Sequence, residues 1–320
     1  MYAGRRVAVV IPAYNEELLI QDTLGGLPEY VDVAVVVDDC STDGTSAKVR
    51  EWVEANKDAR VELVRHETNQ GVGNAIKTGY KRAMAAEADL MVVAAGDDQM
   101  DQTQIPKLLD PIVAGKADYT KGNRLFARGS FVGMSGWRVL GNSILTLLTK
   151  VSSGNWHITD PQNGYTAITR DALDRIDVNA IWGWYGYCND MLTRCNAYGV
   201  RVMDVSIPAR YGSEKSKIKY GRFMRRVSGL LMRNFFWRMM VKYVARDFHP
   251  LVFFYLMGVP LVLLGIGGGI WAIYDRVAND QLLFQPMAIS LLVFGLGMQF
   301  LFFAMYFDMN EAKRLNQPSS

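Results

Sequence analysis

Leu90-Met91-Val92-Val93-Ala94-Ala95-Gly96-Asp97-Asp98-Gln99-Met100-Asp101 runs from an apolar stretch straight into a cluster of acids. Leu90 to Val93 is short enough to be a buried strand. Three carboxylates and an amide follow within a few residues. Carboxylates crowded together repel and resist ionisation, so this strand end calls for a positive partner. A divalent cation supplies it. Oxygen ligands such as Asp97 and Gln99 suit Mg²⁺ or Mn²⁺ rather than zinc. Such an ion keeps one or two protein ligands and takes the rest from water and substrate phosphates. The plainer reading is a polar turn, with Asp101 capping the next helix.

The chain before this stretch repeats its design. Val7 to Ile11 reads as a strand ending in Pro12-Ala13-Tyr14-Asn15-Glu16, and a helix follows to about Leu24, stopped by Gly25-Gly26. Val33 to Val37 is β-branched without alternation, so it is buried on both faces. It ends in Asp38-Asp39-Cys40-Ser41-Thr42-Asp43-Gly44-Thr45. Ser46 to Asn56 is a helix, Val61 to Val64 a third strand, and Asn69 to Ala75 opens a helix running to about Ala86. Gly71 and Gly73 lack the spacing of a dinucleotide fingerprint and read as close backbone packing at a helix start. Alternating strands and helices predict a doubly wound, mostly parallel α/β sheet. Ligands bind such sheets beyond the carboxyl ends of the strands. Glu16, Asp38-Asp39 and Asp97-Asp98 then converge on one crevice. Carboxylates there accept hydrogen bonds from a base or ribose, and a metal holds a diphosphate. Together they describe a nucleotide-diphosphate site.

Half of the 320 residues are hydrophobic and 21% are charged, a balance that leans toward membrane contact. Cys40, Cys188 and Cys195 are odd in number and form no CxxC pair, which argues against a disulfide framework and a zinc site. His66, His157 and His249 are too scattered for a histidine metal site. No secretory signal is visible, so the catalytic part is expected to begin at once, in the cytoplasm.

The motifs Val10-Ile11-Pro12-Ala13-Tyr14-Asn15-Glu16 and Val37-Asp38-Asp39-Cys40-Ser41-Thr42-Asp43-Gly44-Thr45, followed by the acid-Gln stretch, resemble family 2 glycosyltransferases of the GT-A fold. Gly122-Asn123-Arg124, Asp160-Pro161-Gln162-Asn163-Gly164-Tyr165, and Arg210-Tyr211-Gly212 followed by Lys215-Ser216-Lys217 resemble the branch of dolichol-phosphate mannose synthase and related polyprenyl-phosphate glycosyltransferases. The resemblance covers roughly residues 5 to 220. It implies nucleotide binding by Pro12, Tyr14, Glu16, Asp38, Asp39 and Asp97, and a metal, Mg²⁺ or Mn²⁺, on Asp97 and Gln99. The family's metal motif reads Asp-x-Asp-x-Gln; here its first acid is Ala95. The resemblance further implies that Arg124 and Arg138 hold the acceptor phosphate, and that Arg210, Ser216 and Lys217 close over the donor diphosphate.

Arginine suits a phosphate because its planar fork donates two hydrogen bonds. Arg124 and Arg138 flank Gly129 to Gly136, a segment able to open and close as a loop. The reaction implied is displacement at an anomeric carbon. Metal and cations stabilise the growing charge on the leaving diphosphate. A phosphate acceptor has a second pKa of about 6 and needs no strong base. Asp160 and Asp190, counted with Asp97 as catalytic, then bind sugar hydroxyls or orient the attack. Asp190 follows Asn189 where the family commonly has a Glu-Asp pair. The aromatic run Trp182 to Tyr187 suits a sugar face, or packing at a membrane-facing edge.

Lys215 to Arg246 carries ten basic residues and no acid. At about 100° per residue Arg222, Arg226 and Arg233 share one face and Arg238, Lys242 and Arg246 the opposite one. Two short helices, or a bend near Gly229 to Asn234, are therefore expected, lying on an anionic membrane rather than on nucleic acid. Leu251 to Tyr274 and Phe284 to Phe307 each run 24 residues without a charge, long enough to span a bilayer. Flanking basic residues put the catalytic domain and the C-terminus in the cytoplasm. Gly265 and Gly269 have GxxxG spacing, a hint of packing within or between chains and so of a homo-oligomer.

The expected organisation is a GT-A domain over residues 1–214, basic amphipathic helices over 215–248, a two-helix transmembrane hairpin over 249–310 and a tail over 311–320. The expected activity is inverting, metal-dependent transfer of mannose from GDP-mannose, or glucose from UDP-glucose, to a polyprenyl phosphate. Transfer to a sugar or lipid hydroxyl is the alternative within enzymes. An inactive nucleotide-sugar or lipid-phosphate binder, partnering a flippase, is the alternative outside them.

Overall fold

The computed structural model describes residues 1–125, 136–208, 220–246, 248–280 and 282–316, and of residues 137–140 and 220–225 the backbone only. In chain order the elements are β1 (Val7–Ala13), α1 (Ile20–Gly25), β2 (Val33–Asp38), α2 (Thr45–Asn56), β3 (Val61–Arg65), α3 (Val72–Ala85), β4 (Leu90–Val93), α4 (Ile105–Val113), β5 (Tyr119–Asn123), α5 (Gly136–Ser153), β6 (Thr166–Thr169), α6 (Arg170–Ile176), α7 (Tyr187–Ala197), β7 (Val202–Ser206), α8 (Tyr220–Arg238), α9 (Leu251–Asn279) and α10 (Phe284–Leu315). They form two compact units, residues 1–235 with 315–320, and residues 236–314.

The strands of the first unit make a seven-stranded sheet in the order β3-β2-β1-β4-β6-β5-β7. All neighbours are parallel except β6, which runs against both β4 and β5. Its reversal brings the loop before Thr166 to the edge where the other strands end. Ala13 lies opposite Asp38 across β1 and β2. The peptide N–H of Gly96 donates to the Pro12 carbonyl at 3.2 Å, so the β4 end stays beside the β1 end.

Both faces of the sheet are covered, which is why its strands are apolar at successive positions. Ala8, Val10, Met91 and Val93 face Ile76, Tyr80 and Ala83 of α3 and the helices α6 and α7. Val7, Val9, Ile11, Leu90 and Val92 face α1, Val49 of α2, and Ile105, Leu108, Leu109 and Ile112 of α4. Gly79 lets α3 close on β1: a Cβ there would overlap Val10 Cγ1.

α8 runs unbroken past Gly229 to Asn234, where a break was expected. Its buried positions Val227, Leu230, Leu231, Asn234 and Arg238 follow one helical stripe. The spacing groups Arg238 with Lys242 and Arg246 as cations of one face on an anionic membrane surface. Arg238 is instead wholly buried, because the Asp308 carboxylate receives it at 2.7 and 3.0 Å. The pitch changes only at Met239, where the backbone widens into a π-helix to Arg246.

In the second unit α9 and α10 are long and apolar enough to cross a membrane. Buried residues recur every seven positions at Leu251, Gly258, Gly265 and Ala272 on α9 and at Ser290, Gly297 and Ala304 on α10, where Asp308 and Ala312 then follow at intervals of four. A seven-residue repeat keeps one seam in contact as two helices supercoil. A Cβ on Gly265 would meet the Phe294 backbone at 2.6 Å, and one on Gly297 the Val262 nitrogen at 2.6 Å. Gly265 thus packs within the chain.

Candidate active site

The carboxyl ends of β1, β2 and β4 lie side by side, as the doubly wound reading requires. Pro12 is half-buried and Tyr14 exposed. The Glu16 peptide N–H donates to Thr45 Oγ1 at 2.8 Å, tying this segment to the loop after β2. The Asp38 carboxylate is fully buried. It accepts from the Ser41 N–H at 2.8 Å and from the Ser46 hydroxyl, with the Arg65 guanidinium 3.7 Å away. Asp39 is nearly as buried. It accepts from the Gln70 N–H at 2.9 Å and the Gly71 N–H at 2.7 Å, and faces His66 Nδ1 at 2.7 Å. Both acids therefore shape the loops that wall the crevice. His66 escaped the sequence reading, although its place just past β3 follows the same strand-end logic.

Asp97, half-buried, and the exposed Gln99 stand at the end of β4, with the Gln99 N–H donating to Asp97 Oδ1 at 3.2 Å. Asp98 takes the left-handed conformation, φ 51°, which turns the chain sharply after Asp97. Asp101 caps the next turn, accepting from the N–H and hydroxyl of Thr103 at 3.0 and 2.6 Å. No group of three histidine, cysteine or acidic side chains fit to hold an ion occurs among the described residues. One carboxylate and one amide fit a hard divalent cation that arrives with a diphosphate and completes its shell from phosphate and water. Asp97 and Gln99 are the residues that would hold it.

The loop before β6 reaches the same place. The Tyr165 hydroxyl donates to the Asp101 carbonyl at 2.8 Å, and a Cβ on Gly164 would lie 3.5 Å from Met100 Cε. This loop carries Asp160, buried, whose carboxylate accepts from Arg124 Nε at 2.9 Å and Nη2 at 3.3 Å. The Arg124 guanidinium remains about half exposed. Asp204 of β7 sets the loop, accepting from Asn123 Nδ2 at 2.6 Å and from the N–H and hydroxyl of Thr159 at 2.8 and 3.0 Å. Lys121, wholly buried, donates to the Asn163 carbonyl. Neither Asp204 nor Lys121 was legible, since each sits inside a short strand with nothing in its spacing to mark it. The Arg138 side chain, residues 129–135, and Arg210, Ser216 and Lys217 lie outside the described residues.

Asp190 is almost completely buried at the start of α7. Its Oδ2 accepts from the Trp182 N–H at 2.9 Å and from Arg194 Nε at 2.8 Å; Arg233 Nη2 stands 3.4 Å from Oδ1. The Arg233 guanidinium lies over the Trp182 ring, 4.7 Å from its centre. The aromatic loop is pinned on its other side too. The Asn74 N–H donates to the Gly183 carbonyl at 2.9 Å. A Cβ on Gly71 would stand 2.7 Å from the Trp184 ring, and one on Gly73 would overlap the Trp182 carbonyl oxygen. The expected close packing at Gly71 and Gly73 is thus the seat of this loop. Trp184 and Tyr185 remain exposed. Asn189 is fully buried, its side-chain oxygen accepting from Gln162 Nε2 at 2.9 Å. The Asp190–Arg194 pair was readable as an i,i+4 spacing.

The model of glycosyl transferase family 2 matches residues 8–177. A UDP-N-acetylglucosamine–dolichyl-phosphate N-acetylglucosaminyltransferase of Methanococcus voltae is 29% identical over 220 residues, 65% of this chain and 87% of that protein. An undecaprenyl-phosphate mannosyltransferase of Micrococcus luteus is 31% identical over 207 residues, 63% of this chain and 82% of that protein. The glucosyl-3-phosphoglycerate synthase of Mycobacterium tuberculosis, crystallised with Mn²⁺, UDP-glucose and phosphoglyceric acid, superposes with a TM-score of 0.57 at 21% identity, covering 72% of this chain and 80% of that one. This last likeness concerns the fold. A GT-A sheet with acids at its strand ends, matched by the family model over more than half of the chain, makes this protein a glycosyltransferase of family 2.

Proposed function

We propose that this glycosyltransferase moves a hexose, mannose from GDP-mannose or glucose from UDP-glucose, onto a polyprenyl phosphate such as dolichyl or undecaprenyl phosphate, with inversion at the anomeric carbon. The observation that carries the reading is Arg124, a half-exposed guanidinium at the same sheet edge as Asp97, on a chain that ends in two apolar helices. The relatives from Methanococcus and Micrococcus are named for polyprenyl-phosphate acceptors, which supports it.

In this reading Pro12, Tyr14, Glu16, Asp38 and Asp39 form the nucleoside side of the crevice. Asp97 and Gln99 hold Mg²⁺ or Mn²⁺ with the donor diphosphate, and the ion supplies charge stabilisation to the leaving group. Arg210, Ser216 and Lys217 add donors to the same phosphates. Arg124 and Arg138 grip the acceptor phosphate. An oxygen of that phosphate attacks the anomeric carbon, and the bond from that carbon to the diphosphate oxygen breaks. The acceptor is already ionised, so no side chain has to remove a proton. Asp190, with its carboxylate turned to Trp182 and Arg194, positions the aromatic loop against the sugar, and Asp160 orients Arg124. Residues 1–214 carry the chemistry, 215–248 lie on the membrane surface and 249–310 cross it. The catalytic domain and the tail, residues 311–320, are both cytoplasmic.

The test is transfer by the detergent-purified full chain. Polyprenyl phosphate is offered with labelled GDP-mannose, UDP-glucose or UDP-N-acetylglucosamine, each with Mg²⁺, Mn²⁺ or EDTA. Label entering the organic phase with one donor and lost with EDTA is the expected result. No transfer with any donor, despite measurable nucleotide-sugar binding, overturns it in favour of a hydroxyl acceptor or an inactive binder.

A further inference from the structure

Nine large apolar side chains stand exposed among the described residues of the first unit, and three of them, Ile144, Leu147 and Leu148, crowd onto α5 at 43–51% exposure. They share one side of that helix. Leu145 clusters with Val227 and Leu231 of α8, and the Ser152 hydroxyl donates to the Leu231 carbonyl at 2.8 Å. The Thr149 hydroxyl instead stands 3.5 Å from Asn189 Oδ1 on α7. At about 100° per residue these three buried residues span about 60°, with Ser152 toward α8 and Thr149 toward α7; Leu148, Ile144 and Leu147 fan out past Ser152 over about the next 140°. On α8, Met232 follows Leu231 round toward the same side and is 60% exposed. The two helices thus join one aliphatic surface, the kind of exposed patch that marks a contact.

The chain that builds this surface is basic. No acid occurs from Tyr119 to Thr159, which holds five lysines and arginines, and α8 comes from the acid-free stretch Lys215 to Arg246. Arg226 and Arg233 of α8 are exposed, and Lys150 of α5 is half-buried. A second copy would bring these cations against their own kind with no acid of either helix to pair them. Anionic lipid headgroups supply the missing charge, and aliphatic side chains beside lysine and arginine suit the headgroup–acyl boundary. Along the chain, α8 leads to the first long apolar helix, which begins at Leu251, nineteen residues after Met232.

We propose that the Ile144, Leu147 and Leu148 side of α5, with Met232 of α8, dips into the surface of an anionic bilayer. The catalytic unit then touches lipid through a helix of its own, besides the basic segment and the apolar helices that follow it. Asn189, beside Thr149, accepts from Gln162 Nε2 at 2.9 Å, and Gln162 lies two residues after Asp160. If the acceptor is a lipid phosphate, as proposed above, immersion of α5 holds the Asp160 loop at the depth of that phosphate.

The immersion rests on α9 and α10 crossing a bilayer and is independent of donor and acceptor. Its test is depth-dependent quenching. The full chain carries Cys40→Ser, since Cys40 is the partly exposed thiol and Cys188 and Cys195 are buried. Leu147→Cys is labelled with a nitrobenzoxadiazole dye, and the protein is reconstituted in phosphatidylcholine–phosphatidylglycerol vesicles containing lipid with a nitroxide high on its acyl chain. The label should be quenched there, and several-fold less in phosphatidylcholine alone. The same label on Glu54→Cys, exposed on α2 across the sheet, should stay unquenched. An unquenched label at Leu147→Cys, or one blue-shifted but unquenched and so covered by protein, overturns the proposal. Equal quenching with and without phosphatidylglycerol overturns the anionic surface as the occupant. Quenching that appears only when polyprenyl phosphate is added overturns it in favour of a lipid-tail site. Release of the chain from vesicles by alkaline carbonate overturns the membrane reading itself, an outcome distinct from these.

Discussion

The Arg124 guanidinium is clasped to the Asp160 carboxylate at 2.9 and 3.3 Å, on a buried acid that holds one edge of the fork while the rest stays open. An acceptor phosphate reaching Arg124 competes with that carboxylate. Asp160→Asn keeps the shape and removes the competing charge. Acceptor KM should fall several-fold while kcat drops about a hundredfold, because the phosphate is held but no longer aimed. Steady-state kinetics with varied polyprenyl phosphate read the split. A rise in acceptor KM would remove Asp160 from this role.

Asp97 should bind metal only together with a diphosphate, since one carboxylate and one amide are too few ligands alone. Calorimetry should show no heat with Mn²⁺ by itself, and a nucleoside diphosphate should bind more tightly when Mn²⁺ is present. Asp97→Asn should abolish that gain and lower kcat roughly 10²- to 10³-fold. Restoring an acid with Ala95→Asp should tighten the metal-dependent binding.

Gly73 has no room for a side chain, because a Cβ there would overlap the Trp182 carbonyl oxygen. Gly73→Ala must push the aromatic loop off α3. It should cost roughly 1–3 kcal/mol of stability and raise donor KM more than acceptor KM. Thermal denaturation and donor titration check the two effects separately.

Asp118 and Arg201 join the starts of β5 and β7 through bonds at 2.8 and 3.1 Å. Burial alone would raise the Asp118 pKa, but the Arg201 hydrogen bonds and the charges of Arg201 and Arg175 outweigh it and hold the carboxyl below its usual value. The unfolded chain then binds this proton more readily than the folded one. The stabilisation is complete above the unfolded value of about 3.9 and is lost as pH falls through the lower folded one. Asp118→Asn should therefore destabilise the chain at neutral pH, and the difference from wild type should shrink as pH falls below about 4. Denaturant unfolding across that range measures it.

Arg238 and Asp308 are both fully buried, and the Tyr243 hydroxyl donates to Asp308 Oδ1 at 2.6 Å. Removing one charge strands the other. Arg238→Met should cost about 3–5 kcal/mol, and Arg238→Met combined with Asp308→Leu should recover most of it. Unfolding in detergent micelles, read as a double-mutant cycle, tests the coupling.

Much of the fold was legible because a strand buried on both faces must be apolar throughout, and β1, β2 and β4 are. Their acidic ends were legible for the complementary reason: carboxylates directly after such strands sit at an edge. β6 was not legible. Thr166 to Thr169 carries no mark of direction, and only its pairing with β4 and β5 makes it antiparallel. Arg238 misled because a cation in a basic run looks solvated until its partner, seventy residues on, is brought to it.

The sequence by itself determined the alternation of strand and helix, the carboxylates at three strand ends and the two long apolar helices, because each depends on residues close together in the chain. Only the tertiary structure decided which carboxylates are occupied by the protein itself. Asp38, Asp39, Asp160 and Asp190 are neighbours in space of Arg65, Gly71, Arg124 and Arg233, each far away along the chain. A charge's role follows from what surrounds it once water is excluded, and for most of these acids that surrounding comes from distant parts of the chain.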